Sequence, residues 1–236
     1  MNHAAALVSL ATSVPPHQFH QKQLLEAALG VVADRYPQLE TLESLFANTG
    51  IRHRYGVMPM EWYLEHRGWP ERTKAFLDGA ERLFLDVARN AIAQASLTAG
   101  DIDCVVTVCS TGIATPTLEA RVAGKIGFRS DVSRVPVFGL GCAGGVSGLS
   151  IASKLAQARP GSNVLLVALE LCTLAVRHDE LTRPISSPRA CSATVRPRSC
   201  SAPAMAAPPR SRRPVRSFGL IRSTSWDGAS TLRALA

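Results

Sequence analysis

The residues best placed to do chemistry lie in one segment, Val135 to Ser150, with the sequence VPVFGLGCAGGVSGLS. A strand-like run leads into a glycine-rich turn that carries Cys142, and a helical pattern follows. Glycines let a backbone turn sharply and approach a substrate closely. A thiol at the N-terminus of a helix meets the positive end of the dipole, an environment that favours thiolate. Backbone N–H groups at such a turn can also hold an oxyanion during acyl transfer. One reading of Cys142 is therefore a nucleophile that takes an acyl group from a thioester. The plainer reading is a small buried hydrophobe, the role of most cysteines. The same segment also fits G-x-G-x-x-G at Gly139, Gly141 and Gly144, with Glu170 near the end of the next strand as a ribose-binding acid. That pattern points to an NAD(P)-binding Rossmann-type oxidoreductase. Against it, the motif sits deep in the chain, and Glu170 follows the third glycine by 26 residues, slightly late for the role.

These candidates need elements to hold them. Asp103 to Ser110 (DCVVTVCS) is short, rich in β-branched residues and bounded by Asp101 and Gly112, the pattern of a buried strand. Val135–Leu140 and Asn163–Leu169 read as two further strands. Helical spacing appears over Gln21–Tyr36, Leu83–Ala95, Thr117–Lys125 and Ser147–Ala158, and the text from Glu40 to Arg89 is mixed and helical. Strands alternating with helices at this spacing predict an α/β protein built on a parallel sheet.

Composition removes several classes. The 236 residues are 46% hydrophobic and 19% charged, the profile of a folded soluble protein. Val135 to Ser153 is uncharged over 19 residues, yet its five Gly, three Ser and one Pro make it too polar for a membrane span. No Lys or Arg precedes Lys22, so a secretory signal is not expected. The six cysteines are scattered without a C-x-x-C pair, which argues against a zinc cluster or a disulfide scaffold and for a reducing cytoplasm.

The net charge of +8 is local. Residues 1–182 carry 16 Lys+Arg against 17 Asp+Glu, whereas residues 183–236 carry ten Arg, no Lys and one acid, Asp227. That tail also holds seven Pro and ten Ser and shows no sustained apolar periodicity. It reads as a disordered extension, as an Arg-rich nucleic-acid tether on a non-enzymatic protein, or as GC-rich DNA translated in the wrong frame. The last reading has internal support. Codons formed from the third base of one codon and the first two of the next turn Ala190–Ser199 into LFGDGAAAVV. The same frame turns Phe218–Asp227 into WPDTLDIMGW, with only synonymous third-base choices. A frame slip near Thr182–Arg183 accounts for both.

The segment VFGLGCAGGVSGLSIASKLAQARPGSNVLLVALELCTLAVRHDELT resembles the nucleophile region of the type III polyketide synthases, the chalcone- and stilbene-synthase-like family, in its bacterial branch. LVSLATSVPPH, NTGIRHRYGV and VVTVCSTGIATPTLEARVAGKIGF are similar to that family as well, and the two recovered strings look like its continuation. The likeness runs from Ala6 to about Thr182. It implies a thiolase-like αβαβα fold, of which residues 1–182 are the N-terminal half and residues 183–236 an out-of-frame, disordered tail. It implies a cytoplasmic homodimer that condenses malonyl-CoA units onto an acyl-CoA starter through a Cys thioester. Beyond these CoA substrates it implies no cofactor, metal, nucleic acid or membrane partner. Cys142 matches the acyl-carrying nucleophile. The family's His and Asn belong to the second half, and His178 matches no catalytic position, so the chain as written is expected to be truncated and inactive. Ser110, Thr111 and Thr115 match the loop beside the starter site. Cys172, Ala175 and Val176 match positions lining the acyl cavity, and Val176 falls where plant members place a gatekeeper Phe.

Overall fold

A computed structural model describes residues 4–32, 48–175 and 217–224. Their centre is a sheet built from β1 (Ala4–Thr12), β4 (Cys104–Cys109), β5 (Ser133–Phe138), β6 (Asn163–Ala168) and β7 (Ser217–Thr224), in the order β1-β7-β6-β4-β5. β4 runs parallel to both β5 and β6, as the alternation of strands and helices predicts, while β7 is antiparallel to β1 and β6. All six residues of β4 and the first five of β6 are buried. That is why both read as near-continuous apolar runs, broken only by Thr107 in β4 and Asn163 at the start of β6, since a parallel strand covered on two faces has no solvent side. β5, at the edge, alternates half-buried and exposed positions from Arg134 onward.

Helices cover the two faces. On one side lie α3 (Trp69–Gln94) and α4 (Leu118–Ile126), and on the other α5 (Gly144–Ala158). Val105, Cys109, Leu165 and Val167 meet Phe76, Ala80, Leu83, Phe84, Val87 and Ala91 of α3 and Val122 of α4 in the larger core. Cys104, Val106, Val108, Val164 and Leu166 meet Ala152 and Ala156 of α5 in the smaller. The alternation along β4 and β6 thus divides between two cores.

The strands and helices predicted around Cys142 agree with the structure to within a few residues. α3 differs: it begins at Trp69, not at Leu83. Pro70 is tolerated in the first turn because that N–H has no partner in the helix. The Glu71 carboxylate accepts the Gly68 N–H at 3.2 Å and closes the start. The short α2 (Met60–Leu64) precedes it. α1 spans Gln21–Val32. Between α1 and α2 the mixed text conceals a strand. β2 (His17–His20) and β3 (His53–Gly56) pair antiparallel as a separate ribbon, with His20 opposite His53. Four-residue strands of His, Gln and Arg carry almost no apolar alternation.

Ser217–Thr224 lies within the segment read as disordered, yet it forms β7, hydrogen-bonded to β1 on one side and β6 on the other. Without it those two strands would each present an unpaired edge, and SFGLIRST holds enough Phe, Leu, Ile and Thr to occupy the gap. The other residues from 176 onward, among them Val176, His178 and the Thr182–Arg183 boundary, lie outside the described residues.

The end of the sheet far from Cys142 is pinned by Asp103. Its Oδ2 accepts the Asn163 N–H at 2.9 Å, its Oδ1 accepts Arg129 Nη2 at 3.1 Å, and its carbonyl accepts the Ser133 N–H at 3.0 Å. β4, β5 and β6 therefore start in a common register.

Two expected outcomes follow from this packing. A Cβ on Gly148 would lie 2.6 Å from Val108 Cγ2 and 3.0 Å from Leu166 Cδ1. Gly148→Val should therefore lower stability by about 1–3 kcal/mol in urea unfolding, the usual size of an overpacking penalty. The second concerns Glu81 of α3, which binds Lys125 at 2.7 Å and Arg121 at 2.5 Å on α4. The Lys125 hydrogen bond, followed by that of Arg121, holds the Glu81 carboxyl below its ordinary value of 4.5. A carboxyl lowered in the folded state stabilises fully above its unfolded pKa, and the contribution disappears as pH falls through the folded value. Glu81→Gln should thus be less stable than the unaltered chain by at most about 1 kcal/mol near neutrality. The gap should close in unfolding curves taken progressively below pH 4.5.

Candidate active site

β4, β5 and β6 end at the same level, and the candidate residues sit on or just beyond those ends. In open α/β sheets this carboxyl edge is where ligands bind. Ser110 and Thr111 directly follow β4, Gly139 to Ala143 follow β5, and Glu170 to Ala175 follow β6. The turn after β5 requires its glycines, with Gly139 at φ +83° and Gly141 at φ +53°. It closes as a 3-10 turn over Gly141–Ala143, with the Ala143 N–H donating to the Leu140 carbonyl at 3.2 Å, and α5 starts at Gly144. Cys142 is exposed on this turn, one residue before the N-cap of α5. Cys142 is therefore accessible rather than a buried hydrophobe.

Hydrogen bonds across the strand ends join the three loops. The Gly141 N–H donates to Ser110 Oγ at 2.9 Å, tying the Cys142 turn to the end of β4. The Ser110 N–H donates to Glu170 Oε1 at 2.8 Å, and the Leu171 N–H donates to Thr111 Oγ1 at 2.8 Å, tying β4 to the loop after β6. Cys172 is exposed and Ala175 ends the same 3-10 turn, Cys172–Ala175. That turn is anchored from below by Tyr63, whose hydroxyl lies 3.2 Å from Thr173 Oγ1, and by buried Arg72, whose Nη1 donates to the Leu174 carbonyl at 2.7 Å. Ser110, Thr111, Cys142, Cys172 and Ala175 thus share one edge of the sheet. Thr115 stands apart from this lacing, exposed in the loop before α4 and joined to Pro116 by a cis peptide. Val176 lies outside the described residues.

From sequence alone Glu170 reads only as a ribose-binding acid. In the structure its carboxylate holds the Ser110 main chain, a partner 60 residues away that leaves no local pattern. Strand order also removes the dinucleotide reading. In a Rossmann unit the glycine turn and the ribose-binding acid follow neighbouring strands. Here Gly139, Gly141 and Gly144 follow or lie just beyond β5, Glu170 follows β6, and β4 runs between them.

The cysteines differ sharply in environment. Burial, reinforced by the Glu170 carboxylate, pushes the Cys109 thiol up, and burial with Asp103 does the same to Cys104. Buried thiols of this kind are inert. The four described cysteines form no disulfide with one another, and no group of three or more His, Cys, Asp or Glu among the described residues could hold a metal ion. No described helix is long and apolar enough to cross a membrane.

Residues 1–187 match the family described as chalcone and stilbene synthases, N-terminal domain. The chain is 33% identical over 179 residues to a 1,3,6,8-tetrahydroxynaphthalene synthase of Streptomyces peucetius, covering 76% of this chain and 48% of that one. It is 36% identical over 177 residues to the enzyme of the same name from Streptomyces coelicolor, covering 75% and 47%. The crystal structure of the Streptomyces coelicolor 1,3,6,8-tetrahydroxynaphthalene synthase, a bacterial type III polyketide synthase, superposes with a TM-score of 0.73 at 29% identity, over 91% of this chain and 55% of that one. Germicidin synthase from Streptomyces coelicolor shares the fold, with a TM-score of 0.74 at 20% identity over 95% and 61%. The chain spans about half the length of the curated relatives it matches.

The contrast among the thiols is directly measurable. Brief iodoacetamide treatment at pH 7, read by peptide mass spectrometry, should label Cys142 and Cys172 and leave Cys104 and Cys109 unmodified until the chain is denatured.

Proposed function

Because the chain belongs to the chalcone and stilbene synthase family, we propose that Cys142 is its acyl-carrying nucleophile and that the intact protein condenses malonyl-CoA units onto an acyl-CoA starter. The observation that carries this reading is the exposed Cys142 on a glycine turn at the start of α5, at the edge where three parallel strands end. The Cys142 sulfur attacks the starter thioester carbonyl, a carbon–sulfur bond to the enzyme forms, and the CoA thiolate leaves. Malonyl-CoA then loses CO2, and the electron pair of the broken C–C bond becomes an enolate. Its carbon attacks the Cys142 thioester, a new carbon–carbon bond forms, and the Cys142 thiolate is released.

Ser110, Thr111, Thr115, Cys172, Ala175 and Val176 are proposed to line the starter and acyl cavity. For Ser110 its hydrogen bond to the Cys142 turn supports this, and for Thr111, Cys172 and Ala175 their place at the same edge of the sheet does. For Thr115 and Val176 the family resemblance alone does. The homodimer, the cytoplasmic location and the absence of any cofactor beyond CoA substrates are likewise carried over from the resemblance. We further propose that the segment from Arg183 on is read out of frame. Its ten Arg without Lys and the coherent strings recovered in one shifted frame support this.

Acyl transfer is the test. Protein expressed from the frame-restored gene should gain the mass of one acyl group on Cys142 when mixed with a short- or medium-chain acyl-CoA, and Cys142→Ala should gain none. The same preparation should form pyrone or resorcinol products with malonyl-CoA. Removing one oxyanion donor typically slows such chemistry about 10²–10³-fold, so deleting the nucleophile should abolish product altogether. Saturable NADH binding without acylation would overturn the reading.

A further inference from the structure

We propose that Ser110 is a positioning residue for Cys142, acting through the Gly141 amide, and that Glu170 keeps Ser110 in place to do so. The inference rests on Cys142 being the nucleophile and goes beyond Ser110 as a lining residue. Gly141 lies in the left-handed region at φ +53°, and among the described residues, its chain neighbours aside, no atom comes within 4 Å of where a Cβ would be, so no side-chain packing at that point defines its position. Its N–H, one residue before Cys142, reaches 31 residues back to Ser110 Oγ at 2.9 Å.

Ser110 is itself defined from two directions. It continues directly from β4, whose six residues are buried, and its own N–H donates to the Glu170 carboxylate at 2.8 Å, a charge-assisted bond of the stronger kind. The neighbouring Thr111 accepts the Leu171 N–H, so the loop that carries Glu170 is bound to the same corner. The chain of contacts therefore runs from the Glu170 carboxylate to the Ser110 main chain, from the Ser110 hydroxyl to the Gly141 main chain, and one residue on to the Cys142 side chain. An error of about 1 Å in the placement of a reacting group can lower rate about 100-fold, so the hydrogen bond that ties Gly141 to β4 is a sensitive point.

The experiment uses the full 236-residue chain. Pulses of iodoacetamide are followed by peptide mass spectrometry, and the labelling rate of Cys142 is divided by that of Cys172, a second exposed thiol in the same molecule. In the unaltered chain Cys142 should react faster than Cys172. Ser110→Ala should lower the ratio about tenfold, and Ser110→Thr, which restores the acceptor oxygen, should bring most of it back. Buried Cys104 and Cys109 should stay unlabelled throughout, which separates misplacement of the turn from loss of the fold. A ratio unchanged by Ser110→Ala overturns the inference and leaves the nucleophile reading standing. A ratio near one in the unaltered chain overturns both. If Ser110→Ala exposes Cys104 and Cys109, hydrogen exchange in the unaltered chain decides. Protection of the Gly141 amide relative to that of Gly139 supports the tether, and equal exchange overturns it.

Discussion

The contact between α5 and Val108 governs where the Cys142 turn can be. A Cβ on Gly144 would lie 2.6 Å from Val108 Cγ1, and one on Gly148 would lie 2.6 Å from Val108 Cγ2. Both branches of one valine thus occupy the space that side chains at these two helix positions would need. With Ala152 and Ala156 continuing the same stripe, the helix backbone lies closer to the sheet than a helix with larger residues could. Because α5 begins at Gly144, this close seat also sets the height of the turn before it, and with it Cys142.

The opposite core places the rest of the site by a different means. α3 is held against the sheet by a wide apolar face, and its first turn carries the buried Arg72, whose guanidinium reaches the Leu174 carbonyl. Arg72 and Arg67 also lie over the Trp62 ring, at 5.7 and 5.9 Å from its centroid. The 3-10 turn with Cys172 and Ala175 is therefore fixed by polar contacts to α2 and α3, whereas the Cys142 turn is fixed by helix packing and one hydrogen bond. The two turns thus rest on different helices, and the hydrogen bonds through Ser110 and Thr111 at the end of β4 join them.

How much of this was legible in the sequence depended on whether a neighbour was local. β4, β6 and α5 announced themselves because burial on both faces, or on one stripe, imposes a composition that no other setting explains. The glycines around Cys142 were legible for a different reason, since positive φ at Gly139 and Gly141 admits few other residues. The β2–β3 ribbon was not, because two four-residue strands mostly of His, Gln and Arg, with Phe19 alone in β2 buried, carry no period. Nor was β7, whose place is decided by the edges of β1 and β6 more than by its own residues. Glu170 was visible as a residue but not as a contact. A carboxylate that accepts from a main-chain N–H asks nothing of the side chain on the other residue, so Ser110 bears no mark of it.

One motif supported two incompatible chemistries, and its local geometry could not separate them. A strand, a tight glycine turn and a helix serve a pyrophosphate and a nucleophilic thiol equally well, since both use a helix N-terminus and a backbone without Cβ atoms. What separates them is the order of strands. A dinucleotide lies across two neighbouring strand ends, one offering the turn and the next the acid. With β4 inserted between β5 and β6, the acid after β6 faces the end of β4 instead, and there it binds the Ser110 N–H. The residue that a Rossmann protein directs to a ribose is directed here to the Ser110 N–H, while the Ser110 hydroxyl accepts the Gly141 N–H of the Cys142 turn. One intervening strand thus sets the same glycines and the same glutamate apart from a dinucleotide site, which the motif alone does not record.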